Sequence, residues 1–153
     1  MTKLYTFAFM FGLVLFLSGC KKERYAERII GTWELVDVDR VGGGSTGSLP
    51  FRDGRFTFEE SGGLTYIASN GDVYSGNWDM DRKNIQGNCY TDDDGYTNCE
   101  NRVARTLQVS MANFSTQDVL SEYFDEIIFS SNNRFRAVIY GTTRIFRFDF
   151  RRR

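Results

Sequence analysis

The stretch Arg144-Ile145-Phe146-Arg147-Phe148-Asp149-Phe150-Arg151 places three phenylalanines on one side of an extended chain and charged residues on the other. A period of two cannot be sorted onto one face of a helix, but it is what a strand with one buried face requires. The period recurs in Arg55 to Glu59, with Phe56 and Phe58 sharing a side. It recurs in Val73 to Met80, with Tyr74, Trp78 and Met80. It recurs again in Arg102 to Met111, with Val103, Leu107, Val109 and Met111. Gly31 to Val38, Leu64 to Ala68, Ile85 to Tyr90, Tyr123 to Phe129 and Phe135 to Tyr140 read as further strands. Between them stand turn signals: Ser61-Gly62-Gly63, Asn70-Gly71 (which favours a type I′ hairpin), Asp81 to Asn84, Ser130 to Asn133 and Gly141-Thr142. Only Phe114 to Leu120 lacks a clear pattern, and there Ser115 to Asp118 has the residues to cap one helical turn. Short sequential strands of this kind predict a sandwich or a meander. The reading adopted is an all-β, up-and-down antiparallel β-barrel of about eight strands, since closure removes exposed edges.

The first residues have a different fate. Lys3 is followed by an almost wholly apolar run from Leu4 to Leu17. That run is shorter than the roughly 20 residues that span a bilayer, and it suits the apolar part of a signal peptide. It ends in Leu17-Ser18-Gly19-Cys20, which resembles the bacterial lipobox. The resemblance implies that the chain is cut before Cys20 and that Cys20 carries the lipid. Two or more acyl chains hold a protein stably on a membrane, at about 0.8 kcal/mol per buried methylene. The expected organisation is a signal peptide over 1–19, a lipidated tether over 20–30, with a helical turn near Tyr25 to Arg28, and one folded domain over 31–153. Lys21-Lys22-Glu23 lacks the aspartate of inner-membrane retention and has fewer acids than surface-export signals. The expectation is therefore anchorage to the outer membrane, with its face open.

Composition narrows the chemistry. Nineteen basic residues balance 20 acidic ones, and no histidine is present. Interspersed charge near neutrality argues against nucleic acid, and the missing histidine removes the commonest general base and zinc ligand. No nucleophile–base pair is marked out, so no enzyme activity and no cofactor are expected. Cys89 and Cys99 flank a turn-rich stretch and, in an oxidising compartment, read as a disulfide contributing on the order of 3 kcal/mol. Two free thiols or a metal site are the alternatives, and two cysteines without histidine make a poor metal site. Asp92-Asp93-Asp94-Gly95 lacks the ligand spacing of a calcium loop, and Gly42-Gly43-Gly44-Ser45 lacks the Gly-Lys-Ser/Thr of a phosphate loop. No metal site is expected.

Gly31-Thr32-Trp33 at the start of the first strand resembles the G-x-W signature of the lipocalin superfamily. With the lipobox, Phe56-Thr57-Phe58 and Tyr74-Ser75-Gly76-Asn77-Trp78, the chain resembles lipocalin-like lipoproteins of the Bacteroidetes type. The resemblance implies a barrel whose tryptophan is covered by an arginine of a late strand. Arg144 is assigned to that role with Gly31 and Trp33, and Arg147 is a second choice. It also implies a small hydrophobic or amphipathic ligand in the barrel, with Phe56, Phe58, Tyr74, Trp78, Phe146 and Phe148 as candidate lining. For these six residues a plain core is the favoured reading over a ligand lining. The alternative function is an accessory or structural envelope lipoprotein that contacts a protein or glycan without a ligand.

Overall fold

The computed structural model describes residues 24–42, 49, 51–91, 95 and 97–153. A short helix, α1 (Arg24–Ile29), precedes nine strands: β1 (Gly31–Gly42), β2 (Arg55–Phe58), β3 (Gly63–Ile67), β4 (Val73–Thr91), β5 (Thr97–Asn113), β6 (Asp118–Phe124), β7 (Glu126–Ser131), β8 (Arg134–Tyr140) and β9 (Arg144–Arg152). All pairings are antiparallel, and the sheet order is β6-β5-β4-β3-β2-β1-β9-β8-β7. The chain is all-β apart from α1, as the alternation predicts.

Closure differs from the expectation. The hydrogen-bonded sheet is open, and its two end strands are β6 and β7. They are consecutive in sequence, with Asp125 alone between them. The stretch read as a strand from Tyr123 to Phe129 is thus broken. Its first part pairs with β5 and its second with β8. Beyond the bend β7 comes alongside β5 without forming a ladder. At the other side of the sheet β1 and β9 pair along most of their lengths, with an irregularity between Leu35 and Asp37.

The predicted turn at Asp81 to Asn84 is absent. β4 runs unbroken through it, and Asp81, Arg82, Lys83 and Asn84 pair with Thr106, Arg105, Ala104 and Val103. β3 accompanies β4 only as far as Asn77, and β6 accompanies β5 only from Leu107. Beyond those points β4 and β5 form a two-stranded ribbon. The helical turn expected after Ser115 is also absent. The Asn113 side chain accepts from the amides of Ser115 and Thr116 (2.9 and 3.2 Å), which makes a β-turn, and β6 begins at Asp118.

Every strand sends apolar side chains to one core. Trp33, Leu35, Phe56, Phe58, Leu64, Tyr66, Tyr74, Leu107, Val109, Met111, Phe124, Ile127, Phe135, Ala137, Phe148 and Phe150 are buried in it. Phe51 joins from the segment before β2, and Ile29 joins from α1. With Ile29 fully covered, residues of the expected tether belong to the folded unit. At Gly76 the backbones of β4 and β5 approach closely. A Cβ there would lie 2.0 Å from the Ser110 carbonyl oxygen. A side chain at 76 would force the backbones apart, so glycine permits the close approach.

Candidate functional site

At the start of β1 the chain builds a plug of backbone carbonyls around one guanidinium. Trp33 is paired with Arg152 in the β1–β9 ladder, and the Arg152 guanidinium carbon lies 4.4 Å from the Trp33 ring centroid. Arg152 also donates to the carbonyls of Arg28 (2.7 Å), Ile30 (3.0 Å) and Asn132 (3.1 Å). Trp33 Nε1 donates to Ile29 O at 2.6 Å. Gly31 has φ +120, and a Cβ on it would stand 2.8 Å from Arg152 Nη1. Glycine at this position therefore provides both the backbone conformation and the space for the arginine.

The arginine over the tryptophan is Arg152, not Arg144. Antiparallel pairing sets the last residues of β9 against the first of β1, and Arg144 lies at the far end, opposite Gly42. Arg147 pairs with Asp39, also away from Trp33. The three terminal arginines are built in. Arg151 and Arg153 both donate to Glu34, holding its carboxyl below the usual range, and the Arg153 amide donates to Thr32 O.

The six candidate lining residues fall in two groups. Phe56, Phe58 and Phe148 are at most 2% exposed. Phe56 stacks on Tyr66 (4.5 Å between centroids) and meets Phe150 edge-on (5.4 Å), and Phe148 meets Phe124 (5.3 Å). Tyr74 is buried against Tyr66 (5.6 Å). Trp78 and Phe146 are partly buried against the same core, with Trp78 Nε1 donating to Glu59 O (3.0 Å). Tyr66 is held as a donor to Asp53 O (3.1 Å), and burial first, then Asp53 and Tyr74, push its hydroxyl up to about 12. At ordinary pH it is neither a base nor a nucleophile.

The bend at Asp125 is joined by side chains where the ladder fails. Asp125 accepts from the Tyr140 amide (2.9 Å) and lies 3.9 Å from the Lys83 ammonium. Buried Glu126 accepts from the two terminal guanidinium nitrogens of Arg102, Nη1 and Nη2, and from the Tyr140 hydroxyl (2.5 Å). Burial pushes the Glu126 carboxyl up, but the bonds from Arg102 and Tyr140 together with the Arg102 charge carry it below its ordinary value. Sequence reading passed over this cluster. A signal existed: Phe124 and Ile127 are both buried, so the two-residue period slips between them.

Cys20 and Asp92 to Asp94 lie outside the described residues, as does the loop from Gly43 to Ser48. Cys89 and Cys99 are direct cross-strand partners near the ribbon tip. Cross-strand Cα separations of roughly 4.5–5.5 Å fall within the range a disulfide accepts. Among the described residues no group of histidine, cysteine or carboxylates has the arrangement to hold a metal ion.

The outer surface carries apolar side chains that the core does not use. Phe114 is 84% exposed at the tip of the β5–β6 turn, and Val119 is 71% exposed on β6. Val119 pairs with Ala112, and Tyr123 is also exposed further along β6. No family model matches this chain, and no curated protein or solved structure is significantly similar to it.

Proposed function

We propose that this chain is a lipid-anchored envelope protein of lipocalin-like build that acts through its surface rather than by carrying a molecule inside. The observation that carries this reading is the packing of Phe56, Phe58 and Phe148. Their rings, with Tyr66, Phe124 and Phe150, fill the space a carried ligand would occupy. The exposed Phe114 and Val119 supply apolar contact area on the outside, and the β4–β5 ribbon supplies a projecting arm. Exposed apolar side chains on a structured turn suit a protein or glycan contact.

The lipocalin-like part of the proposal rests on Arg152 lying over Trp33 beside Gly31 and on the meander order. Counting β6 and β7 as one bent strand gives eight strands in meander order, and that these wrap as a barrel is part of the proposal. The anchor rests on Leu17 to Cys20. Outer-membrane placement rests on the residues after Cys20, and the Cys89–Cys99 disulfide rests on their register. No catalytic role is proposed.

Native mass spectrometry of the mature protein, released from its own envelope in detergent, tests the central claim. The folded and denatured masses are expected to agree, and both are expected to include the acyl groups on Cys20. A discrete mass present only on the folded chain would restore the ligand-carrier reading. A mass without acyl groups would remove the anchor.

A further inference from the structure

β6 is an end strand of the hydrogen-bonded sheet: β8 comes near it, but among the described residues no strand pairs with its outer edge. Edges are usually blunted with lysine, proline or a bulge. β6 reads Asp-Val-Leu-Ser-Glu-Tyr-Phe, and its pairing with β5 is regular along all seven residues. None of these three devices is present in it.

The direction of its amides follows from two neighbours. The Tyr123 amide donates to the Glu122 side chain (3.2 Å) and so is turned away from β5. In an antiparallel strand alternate residues face the same side. Ser121 and Val119 therefore present their N–H and C=O groups on the open edge too. On β4 the Arg82 amide is likewise taken by a side chain, that of Asp81 (2.7 Å). Continued across β5, that parity points the same β6 residues outward. Val119 and Tyr123 also expose their side chains. One set of alternate residues thus offers both the hydrogen-bonding groups and the apolar contacts.

We infer that the open edge of β6 receives an extended segment of another envelope protein as an added strand, one carrying basic residues between β-branched or aromatic ones. The inference rests on the surface-contact reading above. Charge selects the occupant. β6 contributes Asp118 and Glu122 and no cation, and Asp72 stands with Asp118 around Tyr74. A lysine or arginine of the added strand would draw the Glu122 carboxylate from the Tyr123 amide and free that donor for the partner's carbonyl. Phe114, held outward by the Asn113-capped turn, extends the apolar contact beyond the strand end. A second copy fits less well. Antiparallel β6–β6 pairing would point the two α1 ends in opposite directions, at odds with two chains anchored through Cys20 in one leaflet.

The test has two parts. The mature lipidated protein in detergent is mixed with a synthetic nine-residue peptide alternating lysine and valine, and hydrogen exchange is followed over 118–124. The Val119 and Ser121 amides are expected to exchange at least tenfold more slowly, and less so at high salt. An alternating glutamate–valine peptide is expected to have no effect. Ser121→Pro, which removes an outward amide and leaves the β5 ladder intact, is expected to abolish the protection. Val119→Lys with Tyr123→Lys, which changes only side chains, is expected to abolish it too. Unchanged exchange with the basic peptide, or equal protection in both variants, overturns the inference. In the second part, photo-crosslinkers at Val119 and at Val103 are compared in the native envelope. A crosslink from Val119 into an extended basic segment, lost in Ser121→Pro, supports the inference. Crosslinks from Val103 alone overturn it while leaving the surface-contact reading standing. An absence of crosslinks together with a ligand mass on the folded protein overturns both.

Discussion

Replacing Arg152 by alanine removes a guanidinium that donates to three backbone carbonyls and covers one indole ring. Each hydrogen bond from a charged donor contributes about 1.5–3 kcal/mol when dry. Arg152 is partly solvated, so about 1 kcal/mol per bond is the appropriate scale. The cation–π contact adds about 0.5–1 kcal/mol at such a site. The freed carbonyls of Arg28, Ile30 and Asn132 recover part of this from water. Arg152→Ala should therefore lose about 2–4 kcal/mol. With a urea slope of about 1.5 kcal/mol per molar, the unfolding midpoint should fall by roughly 2 M. Arg152→Lys keeps the charge but cannot reach three carbonyls with one planar fork, and it should recover less than half of the loss. Arg153→Ala, at an exposed pair with Glu34, should cost under about 1 kcal/mol. Urea titration followed by Trp fluorescence reads all three, since Trp33 lies under the substituted group. A midpoint for Arg152→Ala within about 0.3 M of the unmodified chain would refute the idea that this cluster closes the base of the sheet. A loss equalled by Arg153→Ala would refute it as well.

Gly76→Ala should destabilise by about 3 kcal/mol or more, because its methyl would meet the Ser110 carbonyl, which is backbone; near-unchanged thermal unfolding would contradict the close approach of β4 and β5. Glu126→Gln should cost about 1–2 kcal/mol at neutral pH, the half-exposed Arg102 limiting the effect. Because the folded Glu126 carboxyl is held below its ordinary value of 4.5, its stabilisation is present above about pH 4.5 and is lost as pH falls through the folded value. The two proteins should converge in stability as pH falls through the folded value, and a gap that stays constant over the acid range would exclude ionisation as the cause. Alkylation of the unreduced mature chain should label neither Cys89 nor Cys99, and labelling of both would remove the proposed disulfide.

The core strands were legible because burial on one face imprints a two-residue period on the sequence, as Phe146, Phe148 and Phe150 or Phe56 and Phe58 make plain. Trp33 was legible for a different reason: Gly31 before it has a use that no other residue can fill. Arg144 was misassigned because the motif names an arginine on a late strand without saying how far along. Strand direction supplies what is missing, since an antiparallel β9 brings Arg152 to Trp33. The turn at Asp81 to Asn84 was inferred from polar residues. In a ribbon that has left its neighbours, both faces meet solvent over much of the length, and polarity no longer distinguishes strand from turn. The pairing of Tyr123 to Phe129 was hardest to see. Its residues suit a strand throughout, and what changes at Asp125 is the partner, which depends on β5 and β8 alike.

That change of partner has a cost, and the cost bears on what β6 is for. A straight strand lying along both β5 and β8 would satisfy its amides on both sides and leave no edge. The chain instead bends at Asp125. It uses the Asp125 side chain to hold the Tyr140 amide and buries the Glu126 carboxylate to reach Arg102 and Tyr140. A buried carboxylate is expensive to desolvate and recovers that cost only through well-placed partners. These polar contacts secure the lower part of the opening, where β7 passes β5, and leave the edge of β6 from Asp118 to Phe124 unpaired. An edge that served no purpose would be cheaper to close by ladder than to leave open beside a buried ion pair. If the bend exists to keep β6 available, Glu126→Gln should loosen the β7 side of the opening without altering exchange of the Val119 and Ser121 amides. If the bend were merely a defect of closure, relaxing it should let the strand settle against β8 and protect those same amides. Hydrogen exchange on the two proteins at neutral pH separates the cases.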